Sequence, residues 1–286
     1  MRLENDQVTT EEVKGWRGVH LLHFRNSSCS QKVRILLREK GVEWHSHPVD
    51  LVKLEQTKPW FLGINPRGVV PVLVHDGLVH VESNDILEYI DRELPPDPPD
   101  APSYFPRSDE EKRFVAESLK LEDELHHDLR TMTMGFIVPQ ALAKRSPAAI
   151  KAYEDNGAVD AKRALEVEWW REYSEYGIPT EQAAAATRAF AAAFDHLEQR
   201  LAGREWLLGD RISVLEIAWF ISVFRLDLAG YPIARHPRLD ALYRRLLARP
   251  AFRIEVNAPA IERVVLKMYG AYRRVTRTAL LDLVPD

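Results

Sequence analysis

The chain is almost without cysteine: Cys29 is the sole one among 286 residues. A single thiol excludes an intramolecular disulfide, a Cys-x-x-Cys redox pair and a cysteine-rich zinc site, and no metal is expected. Long apolar runs are missing too. None reaches the roughly 18 residues of a membrane span, and the first 18 residues are polar and charged, with no signal-peptide core. There is no internal repeat and no low-complexity tract. A formal net charge of -4 gives no basic excess of the kind nucleic acid demands. The doublets Arg244-Arg245 and Arg273-Arg274 read as solvated helix faces. These absences predict a cytoplasmic globular protein with no membrane or nucleic-acid partner. Its length exceeds what one core usually holds, so two domains are expected.

What is present is organised around His23-Phe24-Arg25-Asn26-Ser27-Ser28-Cys29-Ser30-Gln31-Lys32-Val33-Arg34. The apolar Val19–Phe24 run reads as a buried strand; Val33, Leu36 and Leu37 recur at helical spacing, with Gly41 placed as a C-terminal stop. The serines therefore fall at a helix N-terminus, where unpaired N–H groups and the helix dipole favour an anion. Two readings stay open. In one, Ser27 and Ser28 simply cap the helix, as serines in this place commonly do; in the other, a hydroxyl there stabilises a thiolate by hydrogen bonding.

A second strand is predicted over Glu43–Val49, which makes the start of the chain a βαβ unit with parallel strands. Lys58–Gly68, interrupted by proline and glycine, reads as a helical turn and loop. Val69–His75 is rich in β-formers but contains Pro71, either an ordinary trans proline opening the strand or a cis proline that leaves the backbone of Val70 open to an extended ligand. Asp76-Gly77 predicts a hairpin into Leu78–Val81. Glu82-Ser83 then opens an amphipathic helix that stops before Pro95-Pro96. Residues 95–106 hold six prolines in twelve positions and read as a linker. Beyond it, helices are predicted over 109–134, 148–176, 180–202, 213–229, 236–248 and about 259–269. Ser213–Glu216 fits a capping box ahead of a helix apolar on all sides.

This order of parts resembles the glutathione transferase superfamily. Ser27-Ser28-Cys29-Ser30 with Val33-Arg34 is similar to the zeta-class signature. Leu54-Glu55-Gln56, Trp60-Phe61, Asn65-Pro66-Arg67-Gly68 and Val70-Pro71 are similar to bacterial glutathione-dependent β-etherases, and Gln31–Arg34 with Pro59–Phe61 to the ganglioside-induced differentiation proteins. The resemblance implies a fold of α/β plus all-α type: an extension over 1–18, a thioredoxin-like domain over 19–94, the linker, and an α-helical bundle domain over 107–286.

It also implies glutathione as co-substrate, a small hydrophobic electrophile or ether as its partner in a cleft between domains, and a homodimer. Ser27 takes the catalytic position, with Ser28 and Cys29 as alternatives. Val70, beside Pro71, would pair with the cysteinyl backbone of glutathione, and Glu82 with Ser83 would hold the γ-glutamyl group, whose amine suits a carboxylate and whose carboxylate suits a helix N-terminus. Gln56, Lys53 and Arg67 are candidates for the glycine carboxylate. The absence of tyrosine near the first helix start argues against tyrosine-using classes. Two other functions remain: a non-catalytic binding or assembly protein of the same fold, and thiol–disulfide exchange at Cys29.

Overall fold

The computed structural model describes residues 1–96, 98, 102–155 and 161–282. Contacts divide the chain into two units. The first joins Met1–Ser103 to Arg145–Glu175, and the second joins Tyr104–Lys144 to Tyr176–Asp286.

In the first unit β1 (Val19–His23), β2 (His45–Pro48), β3 (Val72–His75) and β4 (Leu78–His80) form a sheet in the order β2-β1-β3-β4. Leu21, Leu22 and Val72–Val74 are buried, as strands covered on both faces require. β1 and β2 are parallel, while β3 runs antiparallel to both β1 and β4. Asp76 and Gly77 turn the hairpin with φ of 49° and 81°, positive at both positions. A Cβ on Gly77 would lie 2.3 Å from the carbonyl oxygen of Lys14, so glycine is required there for space as well. The N-terminal residues are built into this unit: Leu3 N–H donates to the carbonyl of Val79 at 2.9 Å, and Val13, in the short α1 (Glu11–Lys14), is fully buried.

α2 (Ser28–Glu39) buries Val33, Ile35, Leu36 and Leu37 completely. It ends where expected, with Gly41 at φ 66° and Val42 N–H closing on the Leu37 carbonyl at 2.9 Å. α3 (Pro59–Leu62) is one turn; α4 (Ser83–Glu93) packs on α2.

The second unit contains α5 (Asp109–Glu124), α6 (His126–Met132) and a π-helical stretch at Thr133–Ile137, where one helix to about 134 was expected. α7 (Gln140–Ala143) follows. The helix predicted over 148–176 is two, α8 (Pro147–Asp155) and α9 (Ala161–Tyr176); residues 156–160 lie outside the described residues. Both pack almost wholly with the first unit, a division that differs from the expected helical domain over 107–286. Ile150, Tyr153 and Val167 form their own apolar cluster with Trp170, and such inter-element packing is not visible in periodicity. Of the predicted linker, Asp97, Pro99, Asp100 and Ala101 lie outside the described residues.

α10 (Thr180–Arg200), α11 (Val214–Ala229), α12 (Pro237–Ala248), α13 (Pro250–Val256) and α14 (Ala260–Val275) complete the second unit. α11 is buried on every side from Val214 to Val223, as its apolar sequence there requires, and emerges at Asp227 and Leu228. Among the described residues no helix is long and apolar enough to cross a membrane.

Candidate functional site

The strand register gathers the candidate residues at one end of the sheet. Leu22 pairs with Val72, His23 with Pro48, and Leu73 with His80, so β1, β2 and β4 end where β3 begins. The loop carrying Ser27 leaves that edge after β1. Lys53 and Gln56 follow β2, Arg67 and Val70 precede β3, and Glu82-Ser83 follow β4.

Ser27 is the N-cap of α2, and its hydroxyl accepts from Ser30 N–H at 3.3 Å. A serine hydroxyl has one proton to give, and among the described residues that of Ser27 is given to no other group. Ser28 is buried and Cys29 half-buried in the first turn, just beyond the cap.

The Val70–Pro71 peptide is cis, the second of the two readings left open by the sequence. Val70 makes no backbone hydrogen bond among the described residues. The loop before it is held by Asn65, nearly inaccessible, whose amide donates to the carbonyl of Val69 at 2.9 Å and whose side-chain oxygen accepts from Arg67 N–H at 3.1 Å. Gly68, at φ 64°, lets this loop approach closely: a Cβ there would stand 3.1 Å from the Gln56 carbonyl oxygen and 3.2 Å from Arg163.

Glu82 occupies the N-cap of α4 at φ 65°, a conformation that costs a non-glycine residue on the order of 1 kcal/mol. Its carboxylate does not cap the helix; it pairs with the guanidinium of Arg67. The N–H of Ser83 therefore opens a helix next to an acid and a base. Gln56 is 3% exposed, and its Oε1 is a buried acceptor with no hydrogen-bond partner. Lys53 is 75% exposed at its side chain and pairs with Asp50, three residues before it on the same loop, at 3.1 Å.

Two arginines matter that sequence reasoning gave no role. Arg34 is buried beneath the Ser27 loop, donating to the carbonyls of Phe24 at 3.2 Å and Arg25 at 2.8 Å and to His23 Nδ1 at 2.9 Å. Burial, then the charge of Arg25, lowers its pKa to about 10. Burial and the facing Arg34 likewise lower His23 to about 4, which keeps its ring neutral and able to accept. The sign of this role was a cation on the inner face of α2, beside Val33 and Leu37. Arg163, on α9, donates to the carbonyl of Arg67 at 3.2 Å and to that of Tyr153, and stacks over the Tyr153 ring at 4.4 Å. Nothing local announces it, because 96 residues separate it from Arg67.

Comparison with known proteins agrees with this architecture. Residues 26–93 match the family model of the glutathione S-transferase N-terminal domain, and residues 180–245 that of the C-terminal domain. Glutathione S-transferase 1 of Dianthus caryophyllus is 42% identical over 80 residues, covering 28% of this chain and 36% of that protein. Protein LigF of Sphingobium sp. strain SYK-6 is 28% identical over 82% of this chain and 91% of its own. The crystal structure of that protein, described as a β-etherase, superposes with a TM-score of 0.70 over 83% of this chain and 98% of its own. Both domain models match in order, on the units that carry the corresponding elements: the chain belongs to the glutathione transferase superfamily.

Proposed function

We propose that this chain is a glutathione transferase that binds glutathione along the edge of its sheet, stabilises the thiolate and directs it at a small hydrophobic electrophile or ether. The observation that carries this reading is the register, which brings an undonated serine proton, an unpaired backbone at Val70 and an acidic helix start to one edge. Ser27 would donate to the glutathione sulfur. Accepting Ser30 N–H fixes its oxygen and leaves its proton as the donor. A free thiol titrates near about 8.5, so a fall of one or two units makes most of it nucleophilic at neutral pH.

Val70 N–H and C=O would pair with the cysteinyl backbone as an added strand does. A γ-glutamyl end carries an ammonium and a carboxylate. The Glu82–Arg67 pair offers both opposite charges, so Arg67 is assigned here to that end, with the Ser83 hydroxyl and N–H beside it. Gln56 and Lys53 then remain for the glycine carboxylate. The likeness to a β-etherase supports an ether among the second substrates.

Isothermal calorimetry with glutathione, read together with the thiolate absorbance of the bound form, tests the proposal. Binding with a lowered thiol pKa supports it. Binding without any thiolate, and without turnover across an electrophile panel, would favour the binding-protein alternative. We also propose a cytoplasmic, metal-free homodimer, since two-fold dimers are the commonest soluble assembly; a stable 32.9 kDa species in sedimentation at micromolar concentration contradicts it.

A further inference from the structure

Helix α14 lies beyond both segments matched to the family, the second of which ends at residue 245. Its 16 residues extend roughly 24 Å, and none is buried. At about 100° per residue its side chains sort into three sectors. The inward sector carries Tyr269 and Arg273; the guanidinium of Arg273 donates to the Gly135 carbonyl and lies 4.3 Å from the centroid of the Phe136 ring, which anchors the helix to its unit.

A second sector, about 80° wide, holds Ile261, Val264, Met268, Tyr272 and Val275, exposed by 73%, 51%, 68%, 62% and 84%. Single exposed apolar residues need no explanation, but five on one stripe do. The third sector flanks that stripe and holds Arg263, Lys267 and Arg274, all exposed. Arg263 also donates to the carbonyl of Ala258 at 2.7 Å and to Asn257 Oδ1 at 3.3 Å. The helix carries four basic residues against one acidic, in a chain whose formal net charge is -4.

A second copy of this helix would set basic flank against basic flank. A spanning role is excluded by length and polarity. An anionic bilayer surface suits both sectors at once: the apolar stripe enters the boundary between headgroups and acyl chains, Tyr272 has the amphipathic ring that such a boundary favours, and the basic flank meets lipid phosphates. We propose that α14 is an interfacial helix by which this chain docks reversibly on anionic phospholipid surfaces.

The test is flotation of the full chain with vesicles of pure phosphatidylcholine, or of phosphatidylcholine with phosphatidylglycerol, at low and high salt. Binding is expected to the anionic vesicles and to be weakened by salt. The double variant Lys267→Glu, Arg274→Glu is expected to weaken it at least about tenfold, and Val264→Asp with Met268→Asp to abolish it. These positions are exposed, so melting curves of the variants should match the parent. Absence of binding to anionic vesicles at low salt overturns the proposal. Equal binding to neutral vesicles overturns it too, as does a parent that ignores vesicles but loses an assembled state in Met268→Asp, which would assign the stripe to a second copy or a protein partner.

Discussion

Ser27 and Ser213 each cap a helix in this molecule, and their hydroxyls are used differently. Ser213, fully buried ahead of α11, accepts from Leu215 N–H at 3.2 Å and donates to Glu216 Oε2 at 2.6 Å, while Glu216 accepts from Ser213 N–H at 2.8 Å and Leu207 N–H at 2.6 Å. Every polar group there is answered internally. Ser27, half-buried ahead of α2, accepts from Ser30 N–H but keeps its proton. The same residue in the same local role is thus saturated in one place and left with a proton to donate in the other. Surroundings decide which: the carboxyl three residues on accepts the hydrogen bond of the Ser213 hydroxyl, whereas the third residue after Ser27 is another serine, itself buried and accepting from Phe24 N–H.

The most severe way to break this contrast is to remove the buried acid. Glu216→Ala leaves two backbone N–H groups and a hydroxyl unanswered and is expected to cost about 3 kcal/mol or more in urea unfolding; a loss under about 1 kcal/mol would mean that the box is no more structural than the cap of α2. Next in size, Glu82→Ala should weaken glutathione binding by roughly 1.5–3 kcal/mol, the range for a charge-assisted contact, and calorimetry that finds parent affinity would remove Glu82 from the site. Ser27→Ala should lower stability by only about 1 kcal/mol, the usual value of a cap. It should raise the thiol pKa of bound glutathione, with activity falling about tenfold per unit where the thiolate population limits the rate.

Acid titration sharpens the same comparison through opposite signs. Unfolded imidazole protonates near 6.5 but His23 only near 4, so its contribution is complete above 6.5 and is lost as pH falls toward 4. Burial raises the carboxyl of Glu216 above its ordinary 4.5, so its contribution is complete below that value and is lost as pH rises through the folded pKa. Hydrogen exchange followed from neutral pH to about 4 should therefore show the β1–α2 region loosening while the start of α11 tightens; parallel trends in the two regions would contradict the assignment. The smallest effect is reserved for Cys29→Ala, which should leave the thiolate absorbance of bound glutathione intact. Its loss there, with retention in Ser27→Ala, would exchange the roles of the two residues.

The sequence alone determined the local events: which runs are strands, that Asp76-Gly77 turns a hairpin, that Ser27, Ser83 and Ser213 stand at helix starts, and that α11 is a core helix. These depend on contacts a few residues apart, whose chemistry is written in the order of side chains. Resemblance added the fold and a set of candidate residues. Tertiary structure alone decided the rest. Only strand register puts the segments that hold Ser27, Val70 and Glu82 at one edge; only folding sets Arg67 against Glu82; and the residues of α8 and α9, helical in sequence, join the sheet unit, where Arg163 donates to the carbonyl of Arg67. A side chain carries its own propensity and charge, but its partner across 96 residues is chosen by packing the whole chain, which no window of sequence contains.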